Sequence, residues 1–181
     1  MRNIFRLAPL LSLAMLAAPS HAADSPFHPG SVLPFGKIAS VDSDMPMPPE
    51  TVLKVRFDVS DKGPVDGVNR NLESVARFIN MNAEAGVKPE NIHVAIVLHG
   101  GASGDVTRDS FYSAKNDGKP NPNAALIAAL LEHGTQIYLC GQSAAGNGIS
   151  KSDLLPGVKM ALSAMTAHAL LAQQGYSLNP F

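Results

Sequence analysis

Two side chains in this sequence have the chemistry for nucleophilic or acid–base work, and each follows an apolar segment. Cys140 is the only cysteine and ends the segment 136–140, while His99 directly follows the apolar segment 92–98. Short apolar runs of this kind predict buried strands. Ligands bind at the carboxyl ends of the strands in parallel α/β sheets. If the two strands are neighbours, the imidazole of His99 approaches the thiol, and a protonated imidazole lowers the pKa of a nearby thiol.

Glycine and small polar residues follow both candidate catalytic residues, Cys140 and His99. The residues after Cys140 open a short predicted helix, whose amino terminus favours a thiolate. The two glycines after His99 let the backbone turn sharply or approach a ligand closely. The candidate substrate-binding residues are Gly100, Gly101, Gly141, Gln142 and Ser143. Two structural alternatives stay open: Cys140 as a packed, buried thiol, and His99 as a turn residue whose ring bonds the backbone.

Other catalytic and binding motifs are not evident in the sequence. One cysteine and scattered histidines lack the spacing of a zinc site, so no metal is predicted. The segment 100–104 is rich in glycine but lacks the Lys-Ser/Thr that completes a phosphate-binding loop, and no cofactor is predicted. A cysteine-hydrolase triad would also need a third residue to orient the histidine. The sequence does not identify that residue.

The amino terminus has the features of a cleavable signal peptide. Arg2 and Arg6 precede an apolar run over residues 7–19, and small residues flank His21 at a predicted cleavage site after Ala22. The apolar run is too short to span a bilayer. We therefore predict an exported, periplasmic protein without a stable membrane anchor after cleavage.

Composition and charge narrow the classes of partner. Of the 181 residues 45% are hydrophobic, which is typical of a globular protein. Removal of residues 1–22 removes two of the 14 basic residues and none of the 15 acidic ones, leaving a net charge of −3. This balance, with no basic patch, excludes nucleic acid as a partner. A single cysteine also excludes an intramolecular disulfide in the exported chain.

The remaining pattern predicts an α/β domain over residues 51–181. Strands are predicted over 51–60, 92–98, 136–140, 158–162 and 176–181, and helical periodicity or capping signals fall between most of them. This alternation predicts a five-stranded, mostly parallel sheet with helices on both faces, a flavodoxin-like three-layer sandwich. The polar segment 103–119 is predicted to be a lid or interface loop.

The segment between the signal peptide and the domain, residues 23–50, has a different composition. It is rich in Pro, Ser, Asp and Met and has neither helical nor strand periodicity. We interpret it as an extended amino-terminal arm. The composition favours an arm that is either loose or laid across a neighbouring subunit.

An ordered set of short motifs resembles the DsrE/DsrF-like family, in particular its exported single-domain members. The motifs are Phe57-Asp58-Val59-Ser60, Ile96-Val97-Leu98-His99-Gly100, Asn121-Pro122-Asn123-Ala124, Ile137-Tyr138-Leu139-Cys140-Gly141-Gln142-Ser143 and Leu154-Leu155-Pro156-Gly157-Val158-Lys159. An Ala- and Met-rich helix and a Gln-Gln-Gly-Tyr ending follow them. The resemblance spans about residues 51–181.

The resemblance implies a parallel α/β sandwich that assembles into homo-oligomers. In sulfur-relay relatives the cysteine that corresponds to Cys140 carries sulfane sulfur as a persulfide. The leading hypothesis is therefore an exported persulfide carrier, of sulfurtransferase type if it is active, that exchanges sulfur with a donor or acceptor protein. The alternative is a non-catalytic oligomeric binding or assembly module in which Cys140 is a packed structural thiol.

Overall fold

The computed structural model describes residues 25–48 and 50–180. Five strands and five α-helices follow one another along these residues. The strands are β1 (Leu53–Val59), β2 (Ile92–Leu98), β3 (Gln136–Cys140), β4 (Lys159–Ala161) and β5 (Ser177–Asn179). The helices are α1 (Arg70–Glu84), α2 (Asp109–Lys115), α3 (Ala124–Glu132), α4 (Gly141–Asn147) and α5 (Ala164–Gln173). Three short 3₁₀ helices, Pro89–Asn91, Gly100–Val106 and Lys151–Asp153, complete the secondary structure of the described residues.

All five strands form one parallel sheet in the order β4-β3-β2-β1-β5. The predicted α/β fold with a five-stranded sheet is confirmed. The strands β1, β2 and β3 are neighbours, and their register pairs Val59 with Leu98 and Leu98 with Leu139. Their carboxyl ends therefore meet at one edge of the sheet, and the residues that follow Leu98 and Leu139 lie at that edge.

One face of the sheet holds the large apolar core. Alternate strand residues such as Phe57, Ile96 and Leu139 point to this face and are buried. Helices α1 and α3 cover them with leucine and isoleucine side chains, among which Leu72 and Leu126 are fully buried. Strand side chains alternate between faces, so this periodicity places the residues between them on the opposite face.

The opposite face is covered by α5 and has a small core. Its buried apolar residues are Ala95, Val97, Ala167, Leu171 and Tyr176. The same face of β1 carries three charged residues, Lys54, Arg56 and Asp58, as the strict alternation of that strand predicts. Much of this face is therefore polar, and it includes the end of β3 at Cys140.

The amino-terminal arm packs on α1 of its own chain. Leu33 and Ile38 are buried, and the Asn80 side chain of α1 accepts hydrogen bonds from the backbone N–H groups of Val32 and Leu33 at 3.2 and 2.9 Å. The Asn80 amide also donates to the carbonyl of Phe35 at 2.8 Å. Part of the arm is therefore held on its own chain, while its contact with a neighbouring subunit stays a prediction. The arm's backbone groups find hydrogen-bond partners in a side chain of α1. The composition of the arm alone does not reveal such bonds.

The segment 103–119, predicted to be a lid or interface loop, contains helical structure. It forms the end of a 3₁₀ helix and then α2, and its Tyr112 side chain is buried. Asn121 fixes the segment by donating from its side chain to the carbonyls of Asp105 and Thr107 at 2.9 and 2.7 Å. A seven-residue helix is too short to show clear periodicity, which explains why the sequence did not predict it.

The signal peptide and its cleavage site after Ala22 lie outside the described residues. Within residues 25–48 and 50–180, none of the helices has the length and apolar character needed to cross a bilayer.

Candidate functional site

The site lies at the carboxyl edge of the sheet, on the α5 face. Cys140 ends β3, His99 follows β2, and Asp58 is the second-last residue of β1. Their strand neighbours Phe57, Leu98 and Leu139 point into the large core, so these three polar side chains point the other way. The predicted proximity of His99 and Cys140 to one sheet edge follows from the adjacency of β2 and β3.

These side chains line an open cleft of about 350 Å³. Strand ends contribute Asp58, His99 and Cys140, and the start of α4 contributes Gln142 and Ser143. The remaining lining residues come from the start and middle of α5: Ser163, Ala164, Met165 and His168. The cleft therefore combines a thiol, two imidazoles and a carboxylate, with apolar surface on its α5 side.

The Cys140 thiol is almost enclosed, since only 5% of the residue is exposed. Burial raises its pKa, but hydrogen bonds from the Ser143 hydroxyl and from the backbone of Ser143, Ala164 and Gln142 outweigh burial. The net result is a pKa below the usual value for cysteine. A thiol with a lowered pKa is ionised over a wider pH range and is a better leaving group.

The orientation of the Ser143 hydroxyl is fixed by its second partner. The backbone N–H of Gly100 donates to Ser143 Oγ at 3.0 Å. Because Oγ accepts this bond, its own proton is free to point at the Cys140 sulfur. Gly100 thus contributes to the site through Ser143, and its φ of +54° is a backbone conformation that glycine adopts at little cost.

A chain of hydrogen bonds organises the two histidines around Asp58. His99 Nε2 and His168 Nε2 lie 3.0 and 2.9 Å from the same carboxylate oxygen, Asp58 Oδ1. Arg56 Nε donates to His168 Nδ1 at 3.3 Å, and the Arg56 guanidinium also bonds the carbonyl of Tyr176. Since the guanidinium can only donate, His168 Nδ1 accepts, and the His168 proton lies on Nε2 toward Asp58.

Asp58 also sets the orientation of His99. An ionised carboxylate only accepts hydrogen bonds, so His99 carries a proton on Nε2, and in the neutral ring Nδ1 keeps its lone pair. Asp58 is the orienting residue that the sequence could not identify. Because the hydrogen bonds to the Cys140 sulfur come from α4 and the start of α5, His99 is available to act on a molecule in the cleft.

The glycines predicted to bind substrate have structural roles in this geometry. A Cβ on Gly141 would lie 2.6 Å from the carbonyl oxygen of Ala161, so only glycine allows α4 to approach the β4–α5 connection this closely. Gln142 Nε2 donates to the carbonyl of Leu162 at 3.2 Å. Gly101 lies against the backbone of Ser60 and lines a separate cleft of about 220 Å³ rather than the Cys140 cleft.

Three residues of the site, Asp58, His168 and Arg56, were not predicted from the sequence. Alternation placed Asp58 and Arg56 on the polar face of β1, which is a usable but general signal. His168 lies in an apolar helix, and the sequence suggests only a core or surface residue. Its bond to Asp58 joins residues 110 positions apart, so no local pattern could reveal it. Among the described residues, no group of three or more His, Cys, Asp or Glu side chains is arranged to hold a metal ion.

Comparison with known proteins agrees with this architecture. A protein of unknown function, MTH1491 from Methanobacterium thermoautotrophicum, is similar in structure with a TM-score of 0.54 and 17% identity, over 71% of this chain and 99% of that one. The ychN protein from E. coli is similar with a TM-score of 0.52 and 16% identity, over 71% of this chain and 100% of that one. At this level of identity the likeness concerns the fold alone.

Sequence comparison identifies the family. No functionally curated protein matches this chain. The sequence model of the DsrE/DsrF-like family matches residues 64–180, which span β2 to β5 and all five helices. Because this match covers well over half of the sequence and the fold agrees with it, the chain belongs to the DsrE/DsrF-like family.

Proposed function

We propose that this protein carries sulfane sulfur as a persulfide on Cys140 and exchanges it with thiols that enter the cleft. The observation that carries the proposal is the lowered pKa of the Cys140 thiol, produced by Ser143 and nearby backbone groups despite burial. Membership of the DsrE/DsrF-like family, which is generally associated with sulfur relay, supports the same chemistry.

In the loading step, the Cys140 thiolate attacks the outer sulfur of a donor persulfide, R–S–SH. A sulfur–sulfur bond forms to Cys140 as the donor's own sulfur–sulfur bond breaks, and the donor leaves as its thiolate. The outer sulfur keeps its oxidation state and moves from one thiol to the other, so no separate oxidant or reductant is needed. The hydrogen-bond donors around Cys140 lower the pKa of the attacking sulfur and so favour its thiolate form.

In the unloading step, an acceptor thiolate attacks the outer sulfur of the Cys140 persulfide. Cys140 then leaves as a thiolate, which the Ser143 hydroxyl stabilises. Nδ1 of His99 takes the proton of the incoming acceptor thiol, since Nε2 is held by Asp58 Oδ1 at 3.0 Å. Asp58 fixes the tautomer and orientation of that base, and His168 with Arg56 fixes Asp58.

A second function, a binding or assembly module with a packed thiol, is favoured by one specific observation. Cys140 is only 5% exposed, as expected for a structural cysteine. If the protein is such a module, the Cys140 thiol does not react with thiol reagents in the native protein. It also makes replacement by alanine costly to stability, because the removed sulfur would leave a void.

Sulfur loading separates the two functions. The mature protein is incubated with glutathione persulfide, and its intact mass is measured before and after reduction. We expect a gain of one sulfur atom that reduction removes and that Cys140→Ser abolishes. Rapid alkylation with an apparent pKa well under about 8.5 should accompany it. Loading that is unchanged in Cys140→Ser, or alkylation only after denaturation, would reject the carrier and support the packed thiol.

Two histidines of the same strand region provide a matched control for the unloading step. His99 lines the cleft, whereas the side chain of His93, in β2, is exposed outside it. His99→Asn should slow transfer from loaded Cys140 to an acceptor thiol by about tenfold to a hundredfold, with His93→Asn close to wild type. Equal rates in the two variants would remove His99 from the mechanism.

The proposal includes export to the periplasm and partner proteins that donate and accept sulfur. The amino-terminal residues support export through their two arginines, apolar run and small-residue cleavage site. Expression of the full chain in a Gram-negative host should yield periplasmic protein beginning at Ala23, as determined by intact mass. Retention of residues 1–22 on cytoplasmic protein would contradict export without affecting the chemistry proposed at Cys140.

A further inference from the structure

A second cleft lies at the carboxyl edge of the sheet and takes no part in the proposed sulfur chemistry. It has a volume of about 220 Å³, and its walls come from the loop after β1, the 3₁₀ helix Gly100–Val106, α2 and the end of α4. Its charged lining residues are Lys62 and Lys115, and no acidic side chain is among the described residues that line it. We call this cavity the lysine cleft. Gly101 lets the loop pack here, because a Cβ on it would lie 3.2 Å from the Lys62 backbone nitrogen.

Neither lysine of the cleft forms an ion pair with a carboxylate within residues 25–48 and 50–180. Lys62 Nζ donates to the side-chain oxygen of Asn116 at 2.9 Å, which leaves two of its three protons for other acceptors. The Asn116 amide is itself fixed, because it donates to the carbonyl of Tyr112 at 2.8 Å. The Lys115 side chain makes no hydrogen bond within the same residues. Two ammonium groups beside one cavity attract an anion.

Two carboxylates near this region have other partners. Asp105 interacts electrostatically with Lys62, but it is fully buried and does not line the cleft. Its Oδ2 accepts a hydrogen bond from the Asn69 amide at 2.7 Å. The exposed Asp66 pairs with Lys119 at 2.7 Å. Neither carboxylate enters the lysine cleft, so the opening of the cleft presents positive charge to solvent.

The rest of the lysine cleft combines a hydrogen-bonding group with an apolar wall. Tyr112 lines the cleft, and its hydroxyl is buried without a hydrogen-bond partner among the described residues. A buried polar group without a partner costs free energy, and a bound molecule that accepts its proton removes this cost. Phe111 and Ile149 line the same cleft with apolar side chains. A molecule that matches these walls carries an acid group and a short apolar part.

We infer that the lysine cleft binds a small organic anion, whose acid group is held by Lys62 and Lys115 and whose short apolar chain lies against Phe111 and Ile149. The cavity is smaller than the roughly 300–1,000 Å³ of sites for drug-sized ligands, which limits the anion to a small one. A metal cation is repelled by the two ammonium groups. The lysine cleft shares none of its lining residues with the Cys140 cleft, so it is a separate site.

An NMR titration of the mature protein tests the inference, with butyrate as the probe in a low-salt buffer that contains no phosphate and no other carboxylate. We expect saturable shifts of the backbone amides of Gly101, Gly104 and Lys115, with a dissociation constant of about 1 mM. Butanol has a similar chain without the charge and should bind at least about tenfold more weakly. Inorganic phosphate has the charge without the chain, and it should also bind more weakly than butyrate because it buries no apolar surface.

Matched lysine variants assign the binding to the cleft, and the spectrum of each variant verifies that it is folded. Lys62→Met and Lys115→Met keep an apolar side chain but remove the charge, and each should raise the dissociation constant for butyrate about tenfold. Lys88→Met, at an exposed lysine near the amino end of β2, should bind as the wild type does. Cys140→Ser should also bind normally, which makes the result independent of the proposed persulfide. The absence of saturable shifts, wild-type affinity in either lysine-cleft variant, or equal or tighter binding of butanol or phosphate would overturn the inference.

Discussion

The two faces of the sheet differ in what their side chains do. On the side of α1 and α3, alternate residues of every long strand are buried in one continuous apolar core that extends beneath the arm. On the side of α5, five buried apolar residues form a separate cluster, and the rest of the face holds Arg56, Asp58, His99 and Cys140. The first face contributes most of the burial that stabilises the fold, and the second holds the candidate chemistry.

This division explains how a small domain tolerates a polar, partly open site. Burial of apolar surface is the main favourable contribution to folding, and here it is concentrated on one side. The polar groups of the other side are hydrogen-bonded to one another, which avoids the cost of unpaired buried groups. The α5 side can therefore be specialised for ligands and partners without removing the main source of stability.

The sharpest test of this comparison replaces one buried leucine in a helix on each side of the sheet. Leu72 in α1 and Leu171 in α5 both point at the sheet and are buried, with exposures of 0% and 3%. Leu72→Ala should lower the free energy of unfolding by about 4 kcal/mol, and Leu171→Ala by about 2–3 kcal/mol, because the smaller cluster around Leu171 can close more of the void. Urea unfolding measures both. Equal losses of unfolding free energy would mean that the two helical sides of the sheet contribute alike to stability.

Release of the arm from α1 should have the next largest effect. The Asn80 side chain accepts from two arm N–H groups and donates to arm carbonyls, so Asn80→Ala leaves several backbone groups without partners. We expect a loss of about 2 kcal/mol and faster proteolysis within residues 25–48. Asn82 is the control, because among the described residues its side chain bonds only Phe78 of its own helix, and Asn82→Ala should leave proteolysis of the arm unchanged.

On the α5 side, Ser143→Ala should change reactivity more than stability. The hydroxyl that helps to lower the Cys140 pKa is lost, so the pKa rises and less thiolate is present at neutral pH. The alkylation rate at pH 7 should fall about tenfold, because the thiolate is the form that reacts. Ser74→Ala, which removes an exposed hydroxyl bonded within α1, should leave the rate as in the wild type. An unchanged rate in Ser143→Ala would show that backbone groups alone hold the thiolate.

The sequence predicted the elements of this fold better than the contacts between them. The apolar runs of β2 and β3 and the alternation of β1 are local patterns, and each strand lies where its pattern indicates. The packing of the arm on α1 and the helix α2 were not predicted, because they depend on Asn80 and Asn121, single side chains that bind backbone groups outside their own segments. Nothing in the residues near Asn80 distinguishes it from an ordinary surface amide, and the motif that contains Asn121 does not reveal which carbonyls its side chain binds.

The candidate site could be predicted where it depends on strand ends and not where it depends on distant pairing. Cys140 and His99 each follow an apolar run, and the parallel sheet brings such residues to one edge. The pairing of Asp58 with His168 depends on where α5 crosses the sheet. That crossing is set by packing of Ala167 and Leu171 on β2 and its neighbours, which a single sequence does not specify.

The smallest predicted effect contrasts two buried ionisable groups, Asp105 and Cys140, on opposite sides of the sheet. Near the start of α1, Asp105 is fully buried, and its Oδ1 has no hydrogen-bond partner within the described part of the chain. Burial raises its pKa above 3.8, against the opposing hydrogen bonds of Asn69 and Gly63. The native state therefore binds the Asp105 proton more tightly than the unfolded state does. The stability associated with this proton is present below pH 3.8 and is lost as the pH rises through the native pKa.

Asp105→Asn removes this titration while keeping an acceptor for Gly63 and Asn69. As the pH rises from 3.8 through the native pKa of Asp105, the wild type should lose stability relative to Asp105→Asn, as measured by urea unfolding across that range. Cys140, whose pKa is lowered, should behave in the opposite way. The wild type should gain stability over Cys140→Ser as the pH rises through the native thiol pKa toward 9. Ionisation of Asp105 should destabilise the native state, whereas ionisation of Cys140 should stabilise it. Stability differences that change with pH in the same direction for Asp105→Asn and Cys140→Ser would contradict this contrast.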